Sequence, residues 1–264
     1  MGEWRFLGFQ VGSAFSNMAL DEAILLERLS DRVSNTVRLY GWSPSAVSVG
    51  RFQNVEQEVN LENCRRFGVD VVRRMSGGGA VYHDSEGEIT YCIVSRTKDL
   101  AEGDLANVYA VVYRGIVEAL RILGITADFN SGDARNCPNL TVGGRKISGS
   151  SQMNRGGFVL QHGTLLLKAD LEKMFTVLRV PWAKTCMEVV GVAKRKITSV
   201  QDELGVELMK ERVSRALRSG FEIGFGCQLV DGHLTSPEQV MAEELCNKKY
   251  ATCEWNVSGK CSFG

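Results

Sequence analysis

The sequence lacks several features that mark whole classes of protein. Its 31 basic and 31 acidic side chains cancel, which argues against nucleic-acid binding over a broad surface, although a local basic pocket remains compatible with this balance. No apolar run is long enough to cross a bilayer, and the first residues contain no apolar signal region. We therefore expect a cytoplasmic protein that binds neither nucleic acid nor membrane.

The cysteine pattern excludes a further set of sites. Cysteines stand at positions 64, 92, 137, 186, 227, 246, 253 and 261, and none form a Cys-X-X-Cys pair. This spacing predicts no zinc or redox motif and no resident metal, and is most simply explained by reduced thiols in a reducing compartment. There is also no internal repeat and no low-complexity linker, so we predict one domain over 1–264, with 221–264 as a helical segment at its C-terminal end.

Helical and strand patterns are interspersed along the chain. Apolar spacing predicts helices over 15–28, 56–67, 107–123, 171–178, 208–217 and 236–250, and strands over 36–42, 46–50, 69–72, 88–94 and 158–167. We expect Ser16 or Asn17 to cap the first helix. Ser236 should cap the last, with Pro237 at its first helical position and Gln239 completing a capping box. The mixture predicts an α+β fold in which a mixed β-sheet is packed with helices.

The most informative stretch is 73–84, Arg-Arg-Met-Ser-Gly-Gly-Gly-Ala-Val-Tyr-His-Asp, which follows the predicted strand 69–72. Consecutive glycines let another molecule approach the main chain, and successive N–H groups can form an anion-binding nest. The two arginines add donor forks suited to carboxylate or phosphate. The alternative is a glycine-rich hairpin with solvated arginines. The stretch is neither the phosphate loop ending in Gly-Lys-Ser/Thr nor the GxGxxG turn, so its anion would be bound in another geometry.

A second basic loop lies at 144–152, Gly-Arg-Lys-Ile-Ser-Gly-Ser-Ser-Gln, within a predicted hairpin that has a Gly-Gly tip. Here Lys146 can place an ammonium beside a bound carboxylate or phosphate and stabilise negative charge that develops during a displacement. The alternative is an exposed hairpin lysine, which is the commoner fate of this residue type.

Two histidines add candidates. His162 interrupts an apolar strand and either orients a substrate or is a satisfied core histidine. His83 precedes Asp84, but adjacent residues of a strand point to opposite faces, so we do not expect them to form a catalytic dyad.

These motifs resemble the lipoate–protein ligase family, part of the biotin/lipoate ligase-like superfamily. The resemblance also covers 17–22, 49–54, Glu58, Asn60, 162–166, 248–250 and 254–256. It implies a class II synthetase-like catalytic domain. A biotin ligase is disfavoured because its Gly-Arg-Gly-Arg signature is absent.

The resemblance implies a two-step reaction with ATP and Mg²⁺. Lipoate or octanoate becomes an acyl-adenylate, and the acyl group passes to a lysine of a lipoyl-domain protein, such as a 2-oxoacid dehydrogenase E2 or a glycine cleavage H protein. In this reading Lys146 is catalytic. The implied substrate- and ATP-binding residues are Arg51, Arg73, Arg74, Ser76, Gly77, Gly78, Gly79, Ala80, Tyr82, His83, Lys146, Ser148, Gly149, Ser150, His162, Gly163 and Thr164.

Two departures from the family pattern open alternatives. The small C-terminal domain of single-chain ligases is missing, which implies a separate accessory subunit. The loop 134–140 does not keep the usual Asn-Asp pair, and it contains Cys137. A branch of octanoyltransferases and amidotransferases carries a nucleophilic cysteine before the same hairpin and needs no ATP, and Arg135 or Lys146 would stabilise such a thiolate. Cys137 lies only seven positions before Gly144, closer than that branch suggests, so an inert loop residue is the other interpretation.

The leading hypothesis from sequence is therefore the ATP-dependent ligase, followed by the cysteine-dependent transferase. A hypothesis of another class is a non-catalytic protein that holds lipoate or a lipoyl domain. The presence of Lys146 and both arginines argues against it.

Overall fold

The computed structural model describes residues 2–101, 105–133 and 137–260. Its strands are β1 (Glu3–Gly12), β2 (Thr36–Trp42), β3 (Ala46–Val49), β4 (Asp70–Arg73), β5 (Val81–His83), β6 (Glu88–Arg96), β7 (Asp128–Asn130), β8 (Asn139–Val142), β9 (Arg145–Arg155), β10 (Phe158–Leu166) and β11 (Gln228–Asp231). In the described chain, one sheet has the order β11-β1-β2-β6-β10-β9-β8-β7 and a smaller one the order β4-β3-β5. Because β1 pairs in parallel with β2 and β11 while β6 and β10 pair antiparallel, the predicted mixed sheet is confirmed.

The helices are α1 (Ala14–Leu29), α2 (Val55–Glu58), α3 (Leu61–Arg66), α4 (Thr97–Leu100), α5 (Leu105–Ile122), α6 (Leu171–Val177), α7 (Cys186–Ala193), α8 (Val200–Leu204), α9 (Lys210–Phe225) and α10 (Ser236–Leu245). Two π-helical turns, Cys246–Tyr250 and Glu254–Ser258, follow. None of the helices in the described ranges is long and apolar enough to cross a membrane.

The large sheet carries helices on both faces. Along β6, Tyr91 and Ile93 belong to the core beneath α5 and α9, whereas Cys92 and Val94 belong to the core beneath α1 and α10. Successive side chains of a strand point to opposite faces, so this division places the two helix pairs on opposite sides of the sheet. β6 is therefore buried nearly throughout, and its central residues Tyr91 to Val94 are all apolar, as suits a strand covered on both faces.

Close contact between α5 and α9 changes one predicted boundary. The sequence predicts a helix over 208–217 that ends near Gly220, but α9 continues to Phe225. A Cβ at Gly220 would lie 2.3 Å from the carbonyl oxygen of Gly115, and one at Gly224 would lie 2.6 Å from Gly115 Cα. These glycines allow two backbones to touch rather than ending the helix.

Two further local predictions, one helix and one helix cap, are wrong. The helix over 56–67 is split into α2 and α3, because Val59 is extended and Asn60 caps the second piece through Asn63 N. The cap of α1 is Ser13, one turn earlier than expected.

The predicted start of α10 is one residue too late: Thr235 rather than Ser236 caps the helix, Pro237 takes its second position, and Glu238 rather than Gln239 completes the capping box. The Glu238 carboxylate also binds Arg5 of β1, with Oε2 2.7 Å from the guanidinium. This ion pair with a strand distant in sequence holds Glu238 in the position that completes the capping box.

The segment 221–264, predicted to be helical, also supplies a strand. β11 pairs with β1 at the edge of the large sheet. After α10 the chain returns to α1, where Lys249 Nζ lies 2.7 Å from Glu22 Oε2. It then reaches β4, where the Trp255 indole nitrogen donates to Arg73 O at 2.8 Å. The segment is therefore integrated into the same structure as the sheets.

The predicted Gly-Gly hairpin is confirmed. Gly143 and Gly144 have φ values of 54° and 76° and connect β8 to β9. Positive φ at both central residues is the requirement of a type I′ two-residue hairpin turn, which glycine meets without strain.

Candidate active site

Side chains from the large sheet hold the glycine loop that follows β4. Ser151 of β9 donates through Oγ to Gly77 O at 2.8 Å. The imidazole Nε2 of His162, on β10, lies 2.6 Å from Ser76 Oγ. Motifs separated by more than seventy residues in sequence therefore share one site.

The glycine loop, the Lys146 hairpin and the strand that carries His162 surround a cavity of about 250 Å³. Its walls are largely apolar, with side chains such as Met18, Trp42, Leu166, Met174 and Ile197. The predicted site residues that line it are Arg74, Gly78, Gly79, Ala80, Tyr82, His83, Cys137, Lys146, Ser148, Gly149, Ser150, His162, Gly163 and Thr164. The described lining contains two cations and no carboxylate. An apolar chain with an electron-rich head group suits such a space.

Arg74 supplies one cation and shapes the glycine loop. Its guanidinium donates to Gly77 O at 2.6 Å, Gly79 O at 2.7 Å and Ser48 O at 3.1 Å. It is 4% exposed and makes no salt bridge with the described residues. Burial lowers the pKa of Arg74 to about 10, and an ionised thiol at Cys137 would oppose that shift. The cavity thus contains a positive charge that forms no ion pair with a carboxylate of the described residues.

Arg73 was predicted to line the acyl and adenylate site, but it is turned away from the cavity. Its guanidinium donates to six main-chain carbonyls, those of Gly50, Arg51, Gln53, Trp255, Asn256 and Val257, at 2.8–3.2 Å. These bonds join the loop after β3 to the C-terminal segment. Because its donors bind these carbonyls, Arg73 stabilises the fold and does not reach the cavity.

Three other predicted residues also lie outside the cavity lining. Arg51 lies over the Trp255 ring, with its guanidinium carbon 4.6 Å from the ring centroid. Ser76 is buried against His162, and Gly77 presents its carbonyl to Arg74 and Ser151. Ser76 and Gly77 thus fix the backbone of the glycine loop, and neither residue lines the cavity.

His83 is fixed by a buried network. Its Nε2 lies 2.8 Å from Ser48 Oγ and its Nδ1 lies 2.7 Å from Glu88 Oε1. Trp42 stacks on the ring at 4.0 Å between centroids. Asp84 instead accepts from Tyr82 Oη at 3.0 Å. The expectation that His83 and Asp84 are not a dyad is therefore confirmed, and the real partner, Glu88, lies five residues on.

His162 is held in a similar way. Its Nδ1 lies 3.0 Å from Asp21 Oδ2, and the same carboxylate binds Arg38 and Tyr40. Burial lowers the pKa of His162, against the opposing pull of Asp21. The ring lines the cavity while both nitrogens are paired with protein groups, so His162 is a satisfied buried histidine in the cavity wall, and its role toward a substrate stays a prediction. Sequence reasoning missed Trp42, Ser48 and Glu88, which carry no motif.

Lys146 supplies the second cation, and a β-bulge directs it. Between β8 and β9 the register passes from Thr141–Lys146 to Leu140–Ser148, which leaves Ile147 as an extra residue. Bulges re-aim side chains in this way. A Cβ at Gly149 would lie 2.7 Å from Lys146 Cε and 2.8 Å from Nζ, so the ammonium occupies the space above this glycine. Burial lowers the pKa of Lys146, and a thiolate at Cys137 would raise that pKa. The residue nevertheless remains accessible through the cavity.

Cys137 is an exposed thiol on the rim of the same cavity. Its ionised form would act on the pKa of Arg74, Lys146 and Tyr109, which places it near both cations. Arg135, the other cation expected beside it, lies outside the described residues. An exposed thiol, two cations and an apolar cavity are thus brought together, a combination that is compatible with acyl transfer.

The fold and this site define a class of enzymes that attach an acyl group to protein. The chain belongs to the lipoyl protein ligase A/B catalytic domain family, whose model matches residues 13–222. It is 36% identical over 274 residues to an octanoyltransferase LipM of Kyrpidia tusciae, covering 97% of this chain and 99% of that protein. It is 32% identical over 272 residues to octanoyltransferase LipM of Bacillus subtilis, covering 96% and 97%.

Solved structures agree on the fold. A bipartite lipoate protein ligase from Thermoplasma acidophilum, studied with its E2 lipoyl domain, matches with a TM-score of 0.84 and 29% identity over 97% of both chains. A lipoate-protein ligase A bound with ATP matches with a TM-score of 0.81 and 29% identity, covering 97% of this chain and 98% of that one. The predicted family and ligase-like fold are confirmed, and the chain is a lipoate ligase or octanoyltransferase type of enzyme.

Proposed function

We propose that this protein is an ATP-independent octanoyltransferase that uses Cys137 as its nucleophile. The observation that carries the proposal is the exposed thiol of Cys137 on the cavity that also contains Lys146 and Arg74. Full-length relatives named octanoyltransferase LipM support it. This reverses the order of the hypotheses drawn from sequence, in which the ATP-dependent ligase came first.

The reaction needs no further reagent, because a thioester is already activated. The Cys137 thiolate attacks the carbonyl carbon of an octanoyl thioester, a new C–S bond forms, and the carrier thiolate leaves and takes up a proton. A lysine amine of the acceptor then attacks the acyl-enzyme. The amide C–N bond forms, the amine loses a proton to solvent, and Cys137 is released as a thiolate. Lys146 stabilises the oxyanion in both steps.

The cavity suits the aliphatic part of this substrate. His83 and His162 have both ring nitrogens paired with protein groups. The wall that they form therefore needs no hydrogen bond from the bound molecule, and an unbranched acyl chain can contact it without leaving a polar group unsatisfied. Acceptors would be lipoyl-domain proteins of the E2 or H-protein type, and the compartment would be the cytoplasm, where thiols stay reduced.

The second candidate is the ATP-dependent ligase, which the 29% identical ATP-bound structure favours. Magnesium usually binds through carboxylates together with substrate phosphates. The described lining of this cavity offers no carboxylate, and neither Asn136-Cys137 nor Asn139-Leu140 retains the aspartate expected in a ligase. These observations favour the transferase. The ligase candidate also carries the expectation of a separate accessory subunit.

The test incubates the pure protein with octanoyl carrier protein and records the intact mass before and after adding a lipoyl domain. We expect one octanoyl group on Cys137 that then moves to the acceptor lysine. Cys137→Ala should abolish both events, whereas Cys253→Ala, which removes another exposed thiol, should preserve them. Pyrophosphate exchange with octanoate, ATP and magnesium that persists in Cys137→Ala, measured with and without an accessory protein, would establish the ligase instead.

A further inference from the structure

A tyrosine of α5 reaches the chain beside the proposed nucleophile. Tyr113 is fully buried, and its hydroxyl donates to Pro138 O at 2.9 Å. No sequence pattern points to this residue, because a tyrosine inside an amphipathic helix is an ordinary core residue. Its contact lies one residue after Cys137 and immediately before β8, which begins at Asn139.

The Tyr113 hydroxyl is held in a donor orientation. Ser150 Oγ donates to it at 2.8 Å, and Gln161 Nε2 donates to Ser150 Oγ at 3.0 Å. Since the hydroxyl accepts from Ser150, its own proton is directed to Pro138. Burial raises the pKa of Tyr113 well above its usual value, so the hydroxyl keeps this proton at any pH at which the enzyme works.

The ring of Tyr113 has little freedom to move. It packs against Phe129 of β7 with centroids 5.3 Å apart and against Tyr109 at 6.4 Å. At the other end of the contact, proline has a nearly fixed φ, and Asn139 Nδ2 donates to Cys137 O at 3.1 Å. The carbonyls of Cys137 and Pro138 are thus both held, one by its own loop and one by the helix.

We infer that Tyr113 is a positioning residue that holds Cys137 beside Lys146 and Arg74 for acyl transfer, an inference that rests on the proposed function. Without the hydroxyl, the Pro138 carbonyl loses its link to α5, and the thiol is free to move away from the two cations. A displacement of about 1 Å at a reacting group can cost on the order of a hundredfold in rate. We therefore expect Tyr113→Phe to lower kcat by roughly tenfold or more and to change KM for the octanoyl carrier little.

The position of the thiol can be measured without the transfer reaction. Nearby cations attract the anionic reagent iodoacetate relative to neutral iodoacetamide. The ratio of the two alkylation rates at Cys137, determined by peptide mass spectrometry, therefore reports the positive charge beside it. Cys253, an exposed thiol elsewhere in the chain, serves as the reference in the same sample.

In Tyr113→Phe the ratio at Cys137 should fall by at least about threefold, with the ratio at Cys253 and the melting temperature nearly unchanged. Tyr250→Phe is the matched control: it removes another buried tyrosine hydroxyl, which donates to Glu22 Oε2 at 2.6 Å on the other face of the sheet, so it should leave the Cys137 ratio close to wild type. An unchanged ratio in Tyr113→Phe, or an equal fall in Tyr250→Phe, would overturn the inference. Absence of any octanoyl group on wild-type Cys137 would instead overturn the proposed function, and the alkylation ratio would still report the loop.

Discussion

The glycine loop after β4 and the strand pair β8–β9 are both rich in glycine and cations, yet they use them differently. At the start of this loop both arginines bind main-chain carbonyls: Arg73, the last residue of β4, binds six, and Arg74 holds the loop itself. In β9, the Lys146 ammonium lies over Gly149 and points to no described carboxylate. The arginines of the first region fix a wall of the cavity, whereas the lysine of the second keeps its charge accessible to the cavity.

This difference shows that sequence chemistry alone does not distinguish a structural cation from a reactive one. A guanidinium has five donors in a rigid fork, and it can satisfy several carbonyls at once. An ammonium on a flexible stem is less suited to that task and remains available for a substrate. The wall and the reactive groups should therefore respond to mutation in different ways.

The largest expected effect is on the reactive side. Lys146→Ala should reduce octanoyl transfer by roughly a hundredfold to a thousandfold, because the oxyanion loses its stabilising charge. The protein should remain folded, which a far-ultraviolet circular dichroism spectrum and a melting curve would check. Octanoyl transfer by Lys146→Ala at the wild-type rate would show that Lys146 has no role in the mechanism, and the proposed difference between the two regions would then be wrong.

On the structural side, Arg73→Ala should lower the free energy of unfolding by about 3 kcal/mol. Six carbonyls lose their shared donor, and some become unsatisfied where water cannot reach. Urea denaturation measures this change. Arg51→Ala is the matched control: its guanidinium makes a cation–π contact with the Trp255 ring, so the loss should stay near 1 kcal/mol or less. Equal losses in the two variants would show that the carbonyl cluster has no special role.

Gly149→Ala sharpens the comparison, because it alters geometry without removing charge. The added methyl group would occupy the place of the Lys146 ammonium, and this flexible tip can move. We expect kcat to fall roughly tenfold to a hundredfold with little change in stability. Gly191→Ala, on the exposed side of α7 with no atom near the added Cβ, should leave kcat unchanged. A fully active Gly149→Ala enzyme would mean that the ammonium position is not critical.

The smallest expected effect concerns pH. Because burial lowers the pKa of Lys146, the ammonium is present below that value and lost above it. Activity that depends on the charge should decline, as pH rises, at a lower pH than an ordinary lysine would give. Nuclear magnetic resonance titration of labelled lysine side chains can follow Lys146. In Cys137→Ala the pKa should fall further, since the thiolate that raises it is absent; a rise would contradict the assigned proximity.

Several features could be predicted from residue patterns because they depend on neighbours in the chain. The alternation in β2, the amphipathic spacing of α5 and the Gly-Gly turn before β9 are local, and so are the motifs that identify the family. The interspersed helical and strand patterns also predict a mixed sheet packed with helices, which the structure confirms. Boundaries were less predictable: Gly220 looked like a helix end, but a second helix uses it as a contact.

The sequence by itself determined which residue types gather in the two glycine-rich motifs and, through them, the family and the kind of chemistry. Only the tertiary structure decided that Arg73 faces the C-terminal segment while its neighbour Arg74 faces the cavity. It also decided that Glu88, not Asp84, partners His83, and that Tyr113 reaches the Cys137 loop. The physical reason is that hydrogen bonds and close contacts between distant segments depend on strand register and on small residues at crossing points, which local patterns do not encode.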